Sequence, residues 1–188
     1  GRRIMPASAG RTTMCPTELG YDANVAPSLR LLPIETRLQM QGLAEWRMKA
    51  ERWTEIPLDV GNADQIAKAL EKVAEVRKVS LDNARALGFW HDELTDENPV
   101  PDAQGLVEVP MWRHAIINIP HPLLKQGLVI LDTPGLNAVG AEPELTVNLI
   151  PQAHAVVFIL SADTGVTRSD LSIWREHLAI SPDSMDAR

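Results

Sequence analysis

Apolar residues fall in blocks of differing period along the chain, and the period assigns each block an element. Residues 28–38 (SLRLLPIETRL) set Leu29, Leu31, Ile34, Thr36 and Leu38 against Arg30, Glu35 and Arg37, a near-alternation on both sides of Pro33 that predicts an edge or bulged strand. Residues 40–53 place Leu43, Trp46 and Ala50 on one helical face, with Glu45 and Lys49 spaced for an i,i+4 pair. The longest predicted helix runs over 63–87. Asn62 is its N-cap with Gln65 as capping-box partner, Asp64 lies in the first turn, and Gly88 closes the end. Val76, Val79 and Leu81 widen its apolar surface, so it is expected to pack on more than one side.

Two later blocks read as strands, 113–119 and 128–131, and the short PHPLLKQ connector between them predicts a hairpin and hence a mixed sheet. The run Leu128 to Leu131 is too short for a buried helix and suits a strand covered on both faces, with Asp132 where it stops. Residues 155–160 predict a second buried strand, ending at Ser161-Ala162-Asp163. A helix near 144–152 precedes it, and Thr167 and Asp170 form a capping box ahead of a helix carrying Leu171, Trp174 and Leu178. Strand and helix alternating in this order predict a doubly wound α/β fold. The stretch 91–110 is acidic and broken by Pro99 and Pro101. It reads as an exposed loop, and His91, Asp92, Glu93, Asp96 and Glu97 lack the spacing of a calcium loop. His114 and His121 flank the predicted hairpin and read as structural.

Composition narrows the class. The chain of 188 residues is 45% hydrophobic and 23% charged, the balance of a globular domain with one sizeable core. A net charge of −7 argues against a general nucleic-acid surface. Cys15 is the single cysteine and reads as a buried, inert thiol. No run of about eighteen apolar residues occurs, which predicts a cytoplasmic, non-spanning protein. The opening Gly-Arg-Arg and the closing SPDSMD tract read as the ends of a piece cut from a longer chain.

The candidate chemistry lies in two tracts. Asp132, Thr133, Pro134 and Gly135 follow an apolar strand directly, the Walker B arrangement in which a carboxylate faces Mg²⁺ and a glycine amide can approach a γ-phosphate. Residues 6–17 are rich in small and hydroxylated side chains. If a nucleotide binds, Thr13 can ligate Mg²⁺ from this loop while its backbone meets the γ-phosphate.

Together these tracts resemble the GTPase domain of the dynamin superfamily, and in particular bacterial dynamin-like proteins. The resemblance rests on MPASAGRTTMCPTEL, LVILDTPGL and AVVFILSADTGVTRSDLSIW. Its most specific features are Pro6 seven residues before Thr13, and DTPG followed by an apolar strand and S-x-D-x-x-x-x-x-S-D. It covers residues 1–21 and about 116–178. It implies an α/β fold, part of a P-loop GTPase domain of dynamin type, with a mixed, mostly parallel sheet and a helical insertion at about 39–105. Switch I then spans 6–17, and Walker B with switch II spans 128–142. The same resemblance makes Thr13 the catalytic switch threonine and, with Asp132, a Mg²⁺ ligand. Ser8, Ala9, Gly10, Thr12, Thr133, Pro134 and Gly135 become nucleotide contacts, and the backbone around Ser8 to Gly10 can hold a charge-compensating monovalent cation. The implied cofactors are GTP or GDP and Mg²⁺. The implied partners are guanine nucleotide and a second GTPase domain, with a membrane surface reached through other regions and no nucleic acid. Neither G-x-x-x-x-G-K-[ST] nor N/T-K-x-D occurs in the sequence. Two function classes therefore stay open: part of a large GTPase whose hydrolysis drives self-assembly and membrane remodelling, with the 188 residues inactive alone, or a non-catalytic scaffold that keeps the fold.

Overall fold

The computed structural model describes residues 15–93 and 98–133, together with Glu142, residues 153–157, Leu171 and Arg175. The chain forms two compact units, Gly1–Ala141 and Glu142–Arg188, and all elements below belong to the first. Strands β1 (Thr17–Gly20), β2 (Ser28–Pro33), β3 (Thr54–Pro57), β6 (Trp112–Asn118) and β7 (Ile130–Asp132) build a five-stranded sheet in the order β3-β2-β6-β1-β7. Strands β4 (Val76–Ser80) and β5 (Leu106–Pro110) pair separately. Helices α1 (Leu43–Arg47), α2 (Ala63–Glu71) and α3 (Leu81–Ala86) complete the layers.

The sheet is mixed, as expected, but parallel pairing is confined to β1 with β6 among the described residues. The other ladders are antiparallel, so the sheet is not mostly parallel there. The predicted hairpin does not form. β6 and β7 run in opposite directions, yet β1 is inserted between them and pairs with both. β2 is bulged, with its register to β6 shifting between Leu32 and Pro33, but it is interior rather than an edge, because β3 flanks its other side. Proline ends the strand, and Ile34–Leu38 turns into a 3₁₀ helix in which the Thr36 hydroxyl donates to the Pro33 carbonyl at 2.7 Å.

Alternation gives the sheet two unlike faces. Leu29, Leu31, Ala115 and Ile117 point to the face covered by α2, where they pack with Ala69, Leu70 and Val73. The opposite face carries the cross-strand row Glu55, Arg30, Ile116 and Glu18, with His114 beside it. Leu43 and Trp46 of α1 are buried, as is Trp53, whereas Ala50 is exposed. Helix α1 stops at Arg47 and a separate 3₁₀ turn covers Ala50–Arg52, so the 40–53 block is not one helix. Both buried indoles are satisfied: Trp46 Nε1 donates to Gln41 O at 3.0 Å and Trp53 Nε1 to Trp46 O at 2.9 Å.

The helix expected over 63–87 is interrupted. Asn62 caps α2 by accepting from the Gln65 amide at 3.0 Å, while the Gln65 side chain turns instead to Asp59 N and Pro57 O. After a 3₁₀ turn, β-branched Val76 and Val79 enter a strand because β5 offers partners, Val79 opposite Val107 and Arg77 opposite Val109. Ser80 then caps α3. Gly88, at φ +80°, ends it with Phe89 N bonded to Ala84 O at 2.8 Å and Gly88 N to Arg85 O at 3.0 Å, a Schellman closure. The 39–105 segment is thus helix and strand together, with β3 joining the main sheet. Ile34, Val79, Ala84, Leu87, Phe89, Val107 and Val109 form a second core, distinct from the one under α2. In the 91–110 stretch, β5 replaces the last part of the expected loop.

Candidate functional site

Gly127, at φ +91°, closes the 3₁₀ turn Leu124–Gln126 and lets the chain reverse into β7. Asp132 is the last residue of that strand, as its position after the apolar run predicts. The strand itself differs from expectation. It spans three residues, pairs only with β1 among the described residues, and leaves Leu128, Val129 and Ile130 exposed rather than buried on both faces. An apolar run constrains how a strand is covered only through its place in the sheet, and β7 lies at the end of the order.

The β1–β7 register sets Thr17 opposite Asp132, Glu18 opposite Leu131 and Leu19 opposite Ile130. Thr17 is the first residue of β1 and Asp132 the last of β7, so β1 begins where β7 ends. Thr17 is buried and its hydroxyl donates to Cys15 O at 3.1 Å, while Ala115 N donates to Pro16 O at 2.9 Å. These bonds pin the junction. Cys15 is buried, and desolvation pushes its thiol up to about 12, which makes it inert at neutral pH. Asp132 is exposed as a residue, yet enough protein crowds its carboxyl to raise its pKa by desolvation.

Of the residues singled out from the sequence, Asp132 and Thr133 are described, and Thr133 follows the strand end half-buried. Ser8, Ala9, Gly10, Thr12, Thr13, Pro134 and Gly135 lie outside the described residues. Of the predicted 155–160 strand, Ala155, Val156 and Val157 are not in a strand and are exposed, and the remainder lies outside the described residues. The predicted 144–152 helix also lies outside them, and of the capping-box segment only Leu171 and Arg175 are described.

Among the described residues, no three His, Cys, Asp or Glu side chains gather as a metal cage. A lone carboxylate still suits Mg²⁺, which keeps several waters and takes one or two carboxylates plus substrate phosphates. A desolvated Asp132 carboxyl at a strand end fits such an ion, since a cation relieves the penalty that raises its pKa. Asp92 does not fit one: it accepts from Arg85 and from Trp90 Nε1 at 3.0 Å.

The polar cluster that sequence reading missed stands one residue along. Arg47 of α1 meets Glu18 of β1 with both guanidinium nitrogens, and His114 Nε2 of β6 lies 3.8 Å from Glu18 Oε2. His114 is buried, as a structural histidine should be, with Trp53 edge-on at 6.2 Å and neither ring nitrogen hydrogen-bonded. Burial alone would raise the Glu18 pKa, but His114 and Arg47 outweigh it and hold the carboxyl down at about 2. The one signal in the sequence is a lone Glu inside a short strand.

A profile of the Dynamin family matches residues 1–183. The chain is 35% identical over 54 residues to a bacterial dynamin-like protein of Nostoc punctiforme, covering 29% of this chain and 8% of that one. It is 40% identical over 58 residues to a probable transmembrane GTPase FZO-like, chloroplastic, of Arabidopsis thaliana, covering 30% of this chain and 6% of that one. The matched stretches are thus less than a tenth of the length of these relatives.

Proposed function

From the premise that the chain belongs to the dynamin family, we propose that it carries the switch elements of a large GTPase, which binds and hydrolyses GTP with Mg²⁺ in the full-length protein. What supports the reading is the register that sets Thr17 opposite Asp132, because Thr13 stands only four residues before Thr17 in the sequence. Asp132 would hold Mg²⁺, and Thr13, four residues before Thr17, would add a hydroxyl ligand and orient the attacking water. Ser8, Ala9, Gly10 and Thr12 would contact the phosphates, with a monovalent cation near Ser8 to Gly10, and Thr133, Pro134 and Gly135 would follow the γ-phosphate. Bound Mg²⁺ supplies charge neutralisation at the β- and γ-phosphate oxygens. Self-association through this domain, work at a membrane surface and a cytoplasmic location complete the proposal.

The test uses two substitutions in the full-length protein. Thr13→Ala should lower GTP turnover strongly and leave GDP affinity nearly unchanged, because GDP lacks the phosphate that orders the loop. Asp132→Ala should weaken Mg²⁺ retention with either nucleotide. Wild-type turnover in Thr13→Ala would show that this tract is not switch I, and wild-type behaviour of both variants would favour a scaffold.

A further inference from the structure

Helix α1 reaches the β1–β7 ladder through one ion pair, and that pair is placed one residue from the Thr17–Asp132 position. Arg47 grips Glu18 with both guanidinium nitrogens, a fork geometry that fixes direction as well as distance. Glu18 lies between Arg47 from α1 and His114 from β6, and its neighbour across the ladder is Leu131, the residue before Asp132. At 3.8 Å the imidazole faces the carboxylate without a formed hydrogen bond, so Arg47 is the partner that holds Glu18 in place. The apolar anchors of α1 are Leu43 and Trp46, and Trp46 in turn receives the Trp53 indole N–H. A displacement of residues 43–53 therefore pulls on Glu18, and Glu18 belongs to the same two-residue step of β1 as Thr17.

We propose that Glu18 is a positioning residue, which through Arg47 couples the 43–53 segment to the β1–β7 ladder and so sets where the Asp132 carboxylate stands. The segment is then a lever, and a partner that grips it adjusts the metal-bearing strand end without touching nucleotide. For its consequence in turnover, this inference rests on the GTPase reading above, but the structural coupling itself does not.

The experiment compares Glu18→Gln, Arg47→Gln and the exchanged pair Glu18→Arg with Arg47→Glu in the full-length protein. Amide hydrogen exchange over β1 and β7 is read first, with no nucleotide. Both single variants should lose protection at 130–132 while the α2 amides keep theirs, and the exchanged pair should recover it. Activity is read second. The single variants should need several-fold more Mg²⁺ for half-maximal GTP turnover, with GDP affinity unchanged. The exchanged pair should return toward wild type. Unchanged protection at 130–132 in both single variants overturns the coupling, as does failure of the exchanged pair to recover it in a protein that unfolds at the wild-type midpoint. Loss of protection in a protein without GTPase activity leaves the coupling standing and overturns the GTPase reading alone.

Discussion

Thr17 and Asp132 face each other across the antiparallel β1–β7 ladder, the first residue of one strand opposite the last of the other. A buried hydroxyl bonded to Cys15 O fixes one side of the pair, and a crowded carboxyl forms the other. Direction and register, rather than any single contact, bring the start of β1 and the acidic end of β7 together.

The 188-residue chain alone should not bind GTP tightly. The motif that supplies the amide cradle and lysine of a phosphate loop does not occur in the sequence, and one carboxylate with one threonine hydroxyl cannot hold a triphosphate. Calorimetric titration should show no binding at micromolar GTP. A micromolar dissociation constant would mean that phosphates are gripped by groups other than those named here.

Acid should unfold the first unit partly through Glu18. Its folded pKa, about 2, lies below the ordinary value of 4.5, so its contribution is fully present above about pH 4.5 and is lost as pH falls through 2. Between those limits the wild-type advantage over Glu18→Gln, on the order of 1–3 kcal/mol near neutrality, should shrink toward zero. Denaturant midpoints of both proteins from pH 6 to pH 2.5 check this. Parallel curves would show that the Arg47 and His114 contacts do not stabilise the carboxylate.

Gly88→Ala should destabilise the second core by about 1–2 kcal/mol, because a side chain is strained at φ +80° even though the nearest atom to an added Cβ, Arg37 Nη1, is 3.7 Å away. The better helix propensity of alanine is no remedy here, since the strain lies beyond the end of α3. Thermal unfolding of the variant should start in α3, and an unchanged midpoint would contradict the Schellman closure.

Local signals were readable without the structure. Asn62, Gly88 and the end of β7 at Asp132 follow from capping and turn chemistry that involves only neighbouring residues. What could not be read depends on distant partners. Val76 and Val79 satisfy a helical period as well as a strand, and only β5, some thirty residues later, decides for the strand. The hairpin of β6 and β7 failed because β1, nearly a hundred residues earlier, takes the place between them. Whether Leu128 to Ile130 are covered is likewise a property of strand order, not of the run itself. The place of Asp132 at a strand end could be read from its motif, whereas Glu18 and Arg47 carry no pattern, since 29 residues separate them.

The second core, closed by β4, β5 and α3, has its own register and its own helix stop. It is joined to the main sheet through Ile34, which directly follows β2, and through Arg37, whose Nη1 donates to Leu87 O at 3.1 Å. Such a module can change in length at its outer loop near 99–104 while the strand order of the main sheet stays as it is.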